Sequence, residues 1–424
     1  MPRSRTYPPV RSSPSPNRQV YGSGVEYTPH SPATRGPGTR SNRRDANAPP
    51  IQIRSAILDE FRGDKTRKWE LNDIKGFIVE FSCDQHGSRF IQQKLESASS
   101  EERQAIFDEI APNYTLRLMQ DVFGNYVIQK VFEFGTQAQK DILATAMEGH
   151  VLQLTLQVYG CRVVQKAVEH VLPEQQSVFV REIEPHVLRC VKDSNGNHVI
   201  QKMVQCVPAE RLGFIKSFRG SVRELATHPY GCRVLQRCLE HITEDLIRPI
   251  REELHSIANK LMVDQFGNYV VQFLLEHGKP QDKALVVVKL RGQLLYLARH
   301  KFASNVCERA LLSADIDSRR MLIDEIMMNR PGDGFNLITA LMRDQYGNYV
   351  LQRALTVSEG EQREVLFAKV RAEVAQMRRF ASSHSKHLIS STFSRDSRAN
   401  IILNLLQQLN VFLRNTLKWV AVHK

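Results

Sequence analysis

The sequence contains no CxxC pair, no uninterrupted apolar run as long as a membrane span, and no P-loop, GxSxG or HExxH motif. Each absence removes a class of function. The cysteines number seven (Cys83, Cys161, Cys190, Cys206, Cys232, Cys238 and Cys307). An odd total without metal-type spacing fits a reduced compartment better than a disulfide framework or a structural zinc site. The missing apolar run argues against a membrane anchor, and the opening MPRSRTYPPVRSSPSPNR lacks the apolar core of a secretory signal. Without a nucleotide-binding, nucleophilic or metal-ligand motif, neither an enzyme nor a bound cofactor is expected. The expectation is a soluble, intracellular, cytoplasmic protein.

What is present starts with charge. Fifty-eight Lys and Arg against 45 Asp and Glu give a net +13. That balance favours a polyanionic partner without choosing between RNA, DNA and an acidic membrane. Residues 1–50 hold ten of the eighteen prolines together with much Ser, Arg and Gly. Such a segment cannot offset its folding entropy, so a disordered basic arm is expected there. From Ile51 onward the pattern turns amphipathic and helical, with Ile57, Leu58 and Phe61 on one face.

A phrase then recurs eight times. Gln85-His-Gly-Ser-Arg-Phe-Ile-Gln92, Val122-Phe-Gly-Asn-Tyr-Val-Ile-Gln129 and Gln345-Tyr-Gly-Asn-Tyr-Val-Leu-Gln352 are three of its copies. The residue after the glycine (after Ala303 in copy seven) falls at 88, 125, 161, 197, 232, 268, 304 and 348. The steps are 37, 36, 36, 35, 36, 36 and 44. A period near 36 is too long for a heptad and suits a unit of two or three short helices. No such unit can bury its own apolar face. Stacking eight of them gives one continuous core, hence an all-α solenoid. The long last step contains Asn329-Arg-Pro-Gly-Asp-Gly-Phe335, which predicts an exposed loop. Pro331, Gly332, Asp333, Gly334 and Phe335 are candidates for contact with a protein partner.

Three positions per copy stay polar, planar or thiol while the apolar ones barely change. The first and the fifth after the glycine are four apart and share a helical face; the second lies beside them. The first position is Ser88, Asn125, Cys161, Asn197, Cys232, Asn268, Ser304 and Asn348. The second is Arg89, Tyr126, Arg162, His198, Arg233, Tyr269, Asn305 and Tyr349. The fifth is Gln92, Gln129, Gln165, Gln201, Gln236, Gln272, Glu308 and Gln352. All three are expected to face outward. Solvated positions would drift; these draw on a small set.

The set suits single-stranded RNA, whose unstacked bases expose their Watson–Crick edges and take a flat partner between them. The second positions are flat and are candidate stackers, with Asn305 the weakest. A carboxylate accepts two hydrogen bonds, so Glu308 suits the two donors of guanine; a Gln amide offers one donor and one acceptor, which fits uracil or adenine. Valence alone does not separate those two, and the first position must do so. Lys94, Lys130, Lys166, Lys202 and Arg237 lie next to the phrases and are expected to raise the local positive field. His86 and His228 are expected to pack or cap.

These phrases resemble the Pumilio/PUF repeat family over roughly residues 52–394. Ile74-Lys-Gly-Phe-Ile-Val-Glu-Phe-Ser-Cys-Asp-Gln-His-Gly-Ser-Arg-Phe-Ile-Gln92 is similar to a first Pumilio repeat, and Ile57-Leu-Asp-Glu-Phe-Arg62 to the half-repeat before it. Ser385-Lys-His-Leu-Ile389 resembles the C-terminal capping half-repeat, with Ser385 where a glycine is usual. The resemblance implies a right-handed alpha-alpha superhelix (an armadillo-like solenoid) of eight repeats with capping half-repeats, monomeric, with RNA on its concave face. It further implies antiparallel reading, repeat 8 at the 5′ end. Asn with Gln implies U, Cys or Ser with Gln implies A, and Ser304 with Glu308 implies G. The implied element is 5′-UGUAUAUA-3′ in an mRNA 3′ untranslated region. Translational repression, mRNA decay through a recruited deadenylase complex, and Nanos-like co-repressors are the implied outcome and partners. Residues 395–424, including Ile401 to Leu413 and Leu417 to Val422, extend past the usual cap as an amphipathic, helix-like segment. Two other classes compete: a repeat scaffold that binds protein, with replaceable triads, and a charge-driven binder of structured RNA or DNA, with degenerate triads.

Overall fold

The computed structural model describes residues 54–64, 66–328 and 336–384, with side chains of the last helix to residue 376. The candidate loop 331–335, the cap segment 385–389, the extension 395–424 and the arm 1–50 lie outside these residues. The chain divides at Arg54, and the helical array belongs to the unit that starts at Ser55. Every regular element among the described residues is helical.

Each repeat is three helices rather than two. In repeat 3 these are a short helix Val151–Thr155, a central helix Gly160–His170 and an outer helix Pro173–Ile183. The central helices are Gln85–Ser97, Gly124–Phe134, Gly160–His170, Gly196–Cys206, Gly231–His241, Gly267–His277, Ala303–Ser313 and Gly347–Val357. Each packs against the next, so they form one row through the solenoid. The core is a single apolar band along that row: Val127 and Ile128, Val163 and Val164, Val199 and Ile200 and their counterparts in repeats 5 to 8 are fully buried, while in repeat 1 Ile91 is buried and Phe90 partly so. Neighbouring repeats thus supply the burial that none could achieve alone.

Seven of the eight central helices start under a common side-chain cap; repeat 3, with Gln157 in that place, lacks it. Asp121 Oδ1 accepts from the backbone N–H of Phe123 and Gly124, and Asp84, Asp193, Asp264 and Asp344 do the same in their repeats. In repeats 5 and 7 a histidine replaces the carboxylate. His228 Nδ1 accepts from Tyr230 and Gly231, and His300 Nδ1 from Phe302 and Ala303. The glycine that follows lets the central helix touch the short helix. A Cβ on Gly231 would stand 2.5 Å from the Leu225 carbonyl oxygen.

The junction before each short helix is tied by a carboxylate in repeats 1, 3, 5 and 7. Glu325 of the outer helix accepts from the N–H groups of Gly292 and Leu294 at 2.9 and 3.0 Å. Glu182 holds Gly149 and Leu152, Glu109 holds Gly76 and Ile78, and Glu253 holds Gly220. Gly76, Gly149, Gly220 and Gly292 turn the chain there with φ of 77–87°. Replacing Glu325 by Ala frees two N–H groups from a charged acceptor and should cost about 1–3 kcal/mol. The check is the urea midpoint. An unchanged midpoint would mean that water serves those groups equally well.

Two outer elements are irregular. In repeat 4 the outer segment is 3-10, Ala209–Arg211 and Gly213–Phe218, which accounts for the 35-residue step. Between repeats 5 and 6, Ser256 stands where the turning glycine would be. The outer helix and the next short helix there fuse into one 19-residue helix, Glu244–Met262.

The ends of the core are closed differently. Before repeat 1, the helix Ala56–Gly63 sets Phe61 against Trp69, Phe81 and Phe90 at ring distances of 5.1–5.3 Å. Arg67 lies over the outer face of Trp69 and pairs with Glu60 and Asp73, which gives the cap a polar exterior. After repeat 8, the helix Gly360–His384 buries Leu366, Phe367, Val370 and Val374.

Candidate nucleic-acid interface

The eight central helices present the same three positions in the same register. The second position is exposed in every repeat except at Arg162, which is half-buried. Tyr126, Tyr269 and Tyr349 are 39–51% exposed, unusual for tyrosine rings beside a continuous core. The fifth position is half-buried throughout. The first position differs from the sequence expectation. Ser88, Asn125, Cys161, Asn197, Cys232, Asn268, Ser304 and Asn348 are all buried, at 0–4% exposure, not outward-facing. They lie in the seam between adjacent central helices, where only a small polar or thiol side chain fits and must find partners within its own turn.

Those partners sort the repeats into two kinds. In the Asn repeats both amide hydrogens are committed. Asn125 Nδ2 donates to the carbonyls of Asp121 (2.8 Å) and Val122 (3.1 Å), and Asn197, Asn268 and Asn348 repeat this. The Asn Oδ1 therefore faces the next turn of the same helix and accepts from the glutamine there: Gln129, Gln201, Gln272 and Gln352 each donate to it at 2.9 Å. In the Ser and Cys repeats the first side chain instead donates to the carbonyl three residues back, as Ser88 does to Gln85 and Cys161 to Val158, both at 3.4 Å. With no acceptor above it, the glutamine turns to its own helix. Gln92, Gln165 and Gln236 donate to the carbonyls of Ser88, Cys161 and Cys232 at 3.0–3.1 Å. In both kinds the glutamine keeps its carbonyl and one N–H for an outside partner, but holds them from different anchors.

Electrostatics fit the same picture. Burial pushes the Cys161 and Cys232 thiols up to about 11, so both remain neutral donors at neutral pH. Partial desolvation and the charges of Arg233 and Arg162 push the His198 imidazole below its usual range, which leaves a neutral flat ring in the row. Arg162 Nη1 donates to Tyr126 Oη of the preceding repeat at 3.2 Å, linking two successive flat side chains. Glu308 stands apart. Its carboxylate is half-buried, burial raises its pKa, and its ion-pair partner is Arg353 of repeat 8, at 3.6 Å.

The basic residues after the phrases do not stand as free charges. Lys94 pairs with Glu70, Lys130 with Glu96 and Glu133, Lys166 and Lys202 with Glu169, and Arg237 with Glu240. Several partners lie 24–34 residues away along the chain, out of reach of a local sequence window. The positive field expected from these five residues is largely compensated. Arg353 was not among the residues that sequence reasoning singled out; its place directly after Gln352, in the same register as Lys130, Lys166, Lys202 and Arg237, is the signal that would have found it. Among the described residues no group of acidic, His and Cys side chains is arranged to hold a metal ion.

Comparison with known proteins bears on this site directly. The sequence matches the Pumilio-family RNA binding repeat eight times, at residues 77–111, 114–146, 150–184, 186–215, 221–255, 259–290, 293–327 and 338–371. It is 46% identical over 337 residues to the mRNA-binding protein puf3 of Schizosaccharomyces pombe, covering 80% of this chain and 46% of that protein. It is 50% identical over 340 residues to Pumilio homolog 1 of Xenopus laevis, covering 80% of this chain and 28% of that one. The chain thus spans less than half the length of these relatives. Among solved structures it is similar to a Puf3 RNA binding domain bound to a Cox17 RNA 3′ UTR recognition sequence, with TM-score 0.70 and 38% identity over 76% of this chain and 96% of that one. PUF-8 in complex with PBE-RNA matches with TM-score 0.73 and 34% identity over 83% and 99%.

Proposed function

This chain belongs to the Pumilio family of RNA-binding repeat proteins, and from that membership we propose that it binds a specific single-stranded element in mRNA 3′ untranslated regions and lowers the output of the bound messages. The element is 5′-UGUAUAUA-3′, read antiparallel with one base per repeat. Asn348 with Gln352 takes the first U, Ser304 with Glu308 the G, and Asn268 with Gln272 the second U. Cys232 with Gln236, Asn197 with Gln201, Cys161 with Gln165, Asn125 with Gln129 and Ser88 with Gln92 take A, U, A, U and A. Arg89, Tyr126, Arg162, His198, Arg233, Tyr269, Asn305 and Tyr349 supply the flat surfaces between successive bases. The protein acts in the cytoplasm as a binder, not an enzyme, and recruits a deadenylase complex and Nanos-like co-repressors to repress translation and hasten decay.

One observation carries the reading: the two hydrogen-bond arrangements follow the first-position residue in every glutamine repeat. A surface that was merely solvated, or a scaffold for protein, has no need of such an ordering. The compensated lysines also speak for base readout over charge-driven binding, which requires free cations along the groove. The solved relatives hold RNA 3′ UTR recognition sequences, which supports the substrate class.

Purified protein titrated with fluorescent 5′-UGUAUAUA-3′ and 5′-ACAAUAUA-3′ at near-physiological salt should prefer the first by well over about tenfold, since each lost base match costs about 1–3 kcal/mol. Equal affinity for both would leave a nonspecific binder or a scaffold.

A further inference from the structure

The basic residue directly after the fifth position has a recurring partner. It pairs with the glutamate four residues past the fifth position of the preceding repeat: Lys130 with Glu96, Lys202 with Glu169, and Arg309 with Glu276. Lys166 and Arg237 pair instead with Glu169 and Glu240 of their own repeats, Gln205 standing where Arg237 would find the glutamate; repeat 7 lacks the glutamate too. The place that Glu276 fills in repeat 6 is taken there by Leu312, which is 40% exposed on the central helix Ala303–Ser313. Arg353, the basic residue of repeat 8, has no such glutamate to meet. It turns instead to Glu308, with Nη2 3.6 Å from Oε2. Glu308 is the single carboxylate among the eight fifth positions. Among the described residues Arg353 is the one basic residue of this register that pairs with a fifth-position side chain.

We propose that Arg353 is a positioning residue for guanine recognition: it reaches from repeat 8 to hold the Glu308 carboxylate in place, and Leu312 leaves it available to do so. This rests on the base-reading assignment of Glu308 given above. The physical need is clear. A half-buried carboxylate tends to take up a proton, and a protonated carboxyl has one donor and one acceptor on its edge. It then resembles a glutamine and no longer matches the two donors of guanine. Burial raises the Glu308 pKa, and the charges that oppose this are Arg353 and Arg309. Arg309 is already paired with Glu276 at 2.5 Å, and the adjacent Cys307 is held as a neutral thiol by complete burial. Arg353 is thus the cation directed at the reading group. The second base is then read by two repeats together, the recognising carboxylate from one and its counter-charge from the next.

The experiment measures affinities of full-length protein for 5′-UGUAUAUA-3′ and 5′-UUUAUAUA-3′ at pH 7.5 and pH 6, for wild type and for Arg353→Gln, Arg353→Lys and Leu312→Glu. The preference for G should fall about three- to fivefold in Arg353→Gln, the scale of a partly exposed ion pair, and the fall should widen at pH 6. Arg353→Lys should restore most of it. Leu312→Glu should reduce it in the same direction by recapturing the arginine. The penalty for changing the fourth base, read in repeat 5, should not move in any variant. An unchanged G preference in Arg353→Gln at both pH values would overturn the proposal. So would an equal loss of affinity for both RNAs, which would assign Arg353 to the phosphate backbone. If wild type itself does not prefer G, the base-reading assignment fails first and the proposal goes with it.

Discussion

Changing Ser304 to Asn and Glu308 to Gln together should move the preferred second base from G to U. The backbone needed by the new arrangement is already in place. In the Asn repeats the first side chain donates to the carbonyls three and four residues back. Repeat 7 offers the same pair: Ser304 Oγ already donates to Lys301, and the helical bond from Ser304 N to the His300 carbonyl matches that from Asn268 N to Asp264. The glutamine would then anchor on the asparagine, as Gln272 does on Asn268. Each matched edge is worth about 1–3 kcal/mol, so losing G and gaining U should shift the ratio of affinities by ~100-fold or more. Absolute affinity for the U-containing RNA should stay below that of a tyrosine repeat, because the flat neighbour here is only Asn305. Competition between 5′-UGUAUAUA-3′ and 5′-UUUAUAUA-3′ gives the ratio. A double variant that still prefers G would sink the assignment of repeat 7 to the second base.

Replacing Gly231 by Ala should destabilise the whole array by about 1–3 kcal/mol. The new Cβ would sit 2.5 Å from the Leu225 carbonyl oxygen and 3.0 Å from its Cα. Those are backbone atoms of the short helix, so no side chain can swing aside. Helix propensity works in the other direction, since alanine is the better helix former by about 1 kcal/mol. The clash outweighs that gain because the two helices cannot separate without opening the core. Cys232 and Gln236 ride on the displaced helix, so affinity should drop along with the melting temperature. A melting temperature equal to wild type would show that the helices part easily. Repeat 7 is the instructive contrast: Ala303 occupies this place, fully buried, on a helix with the same kind of histidine cap as that of Gly231.

Much of this was legible in the sequence because the solenoid is periodic. The 36-residue step marks the repeats, and the glycine marks the helix contact, so the register of all eight central helices follows. The burial of the first position was not legible. Asn125 and Asn197 read as outward because they are polar, yet each satisfies its amide within its own helical turn and so tolerates complete burial. The pairing of the lysines was hidden for a different reason: partners such as Glu96 for Lys130 belong to the neighbouring repeat, and only stacking brings them together. The fusion of two helices across Glu244–Met262 was visible only as Ser256 at the place where the other boundaries carry Gly76, Asn113, Gly149, Pro185, Gly220, Gly292 and Asn336, residues that turn or break a helix more readily.

That fused helix has a mechanical consequence. Where Gly149, Gly220 and Gly292 interrupt the chain, a repeat boundary contains a joint whose bending breaks few backbone hydrogen bonds. Within Glu244–Met262 the ladder lacks one donor at Pro249, near the helix start, but the boundary at Ser256 is spanned by successive bonds, so flexing there strains several at once. Repeats 5 and 6 therefore behave as one beam spliced over a joint. A strand whose base spacing departs from the pitch of the array must find its compliance at the glycine joints on either side, or in its own backbone.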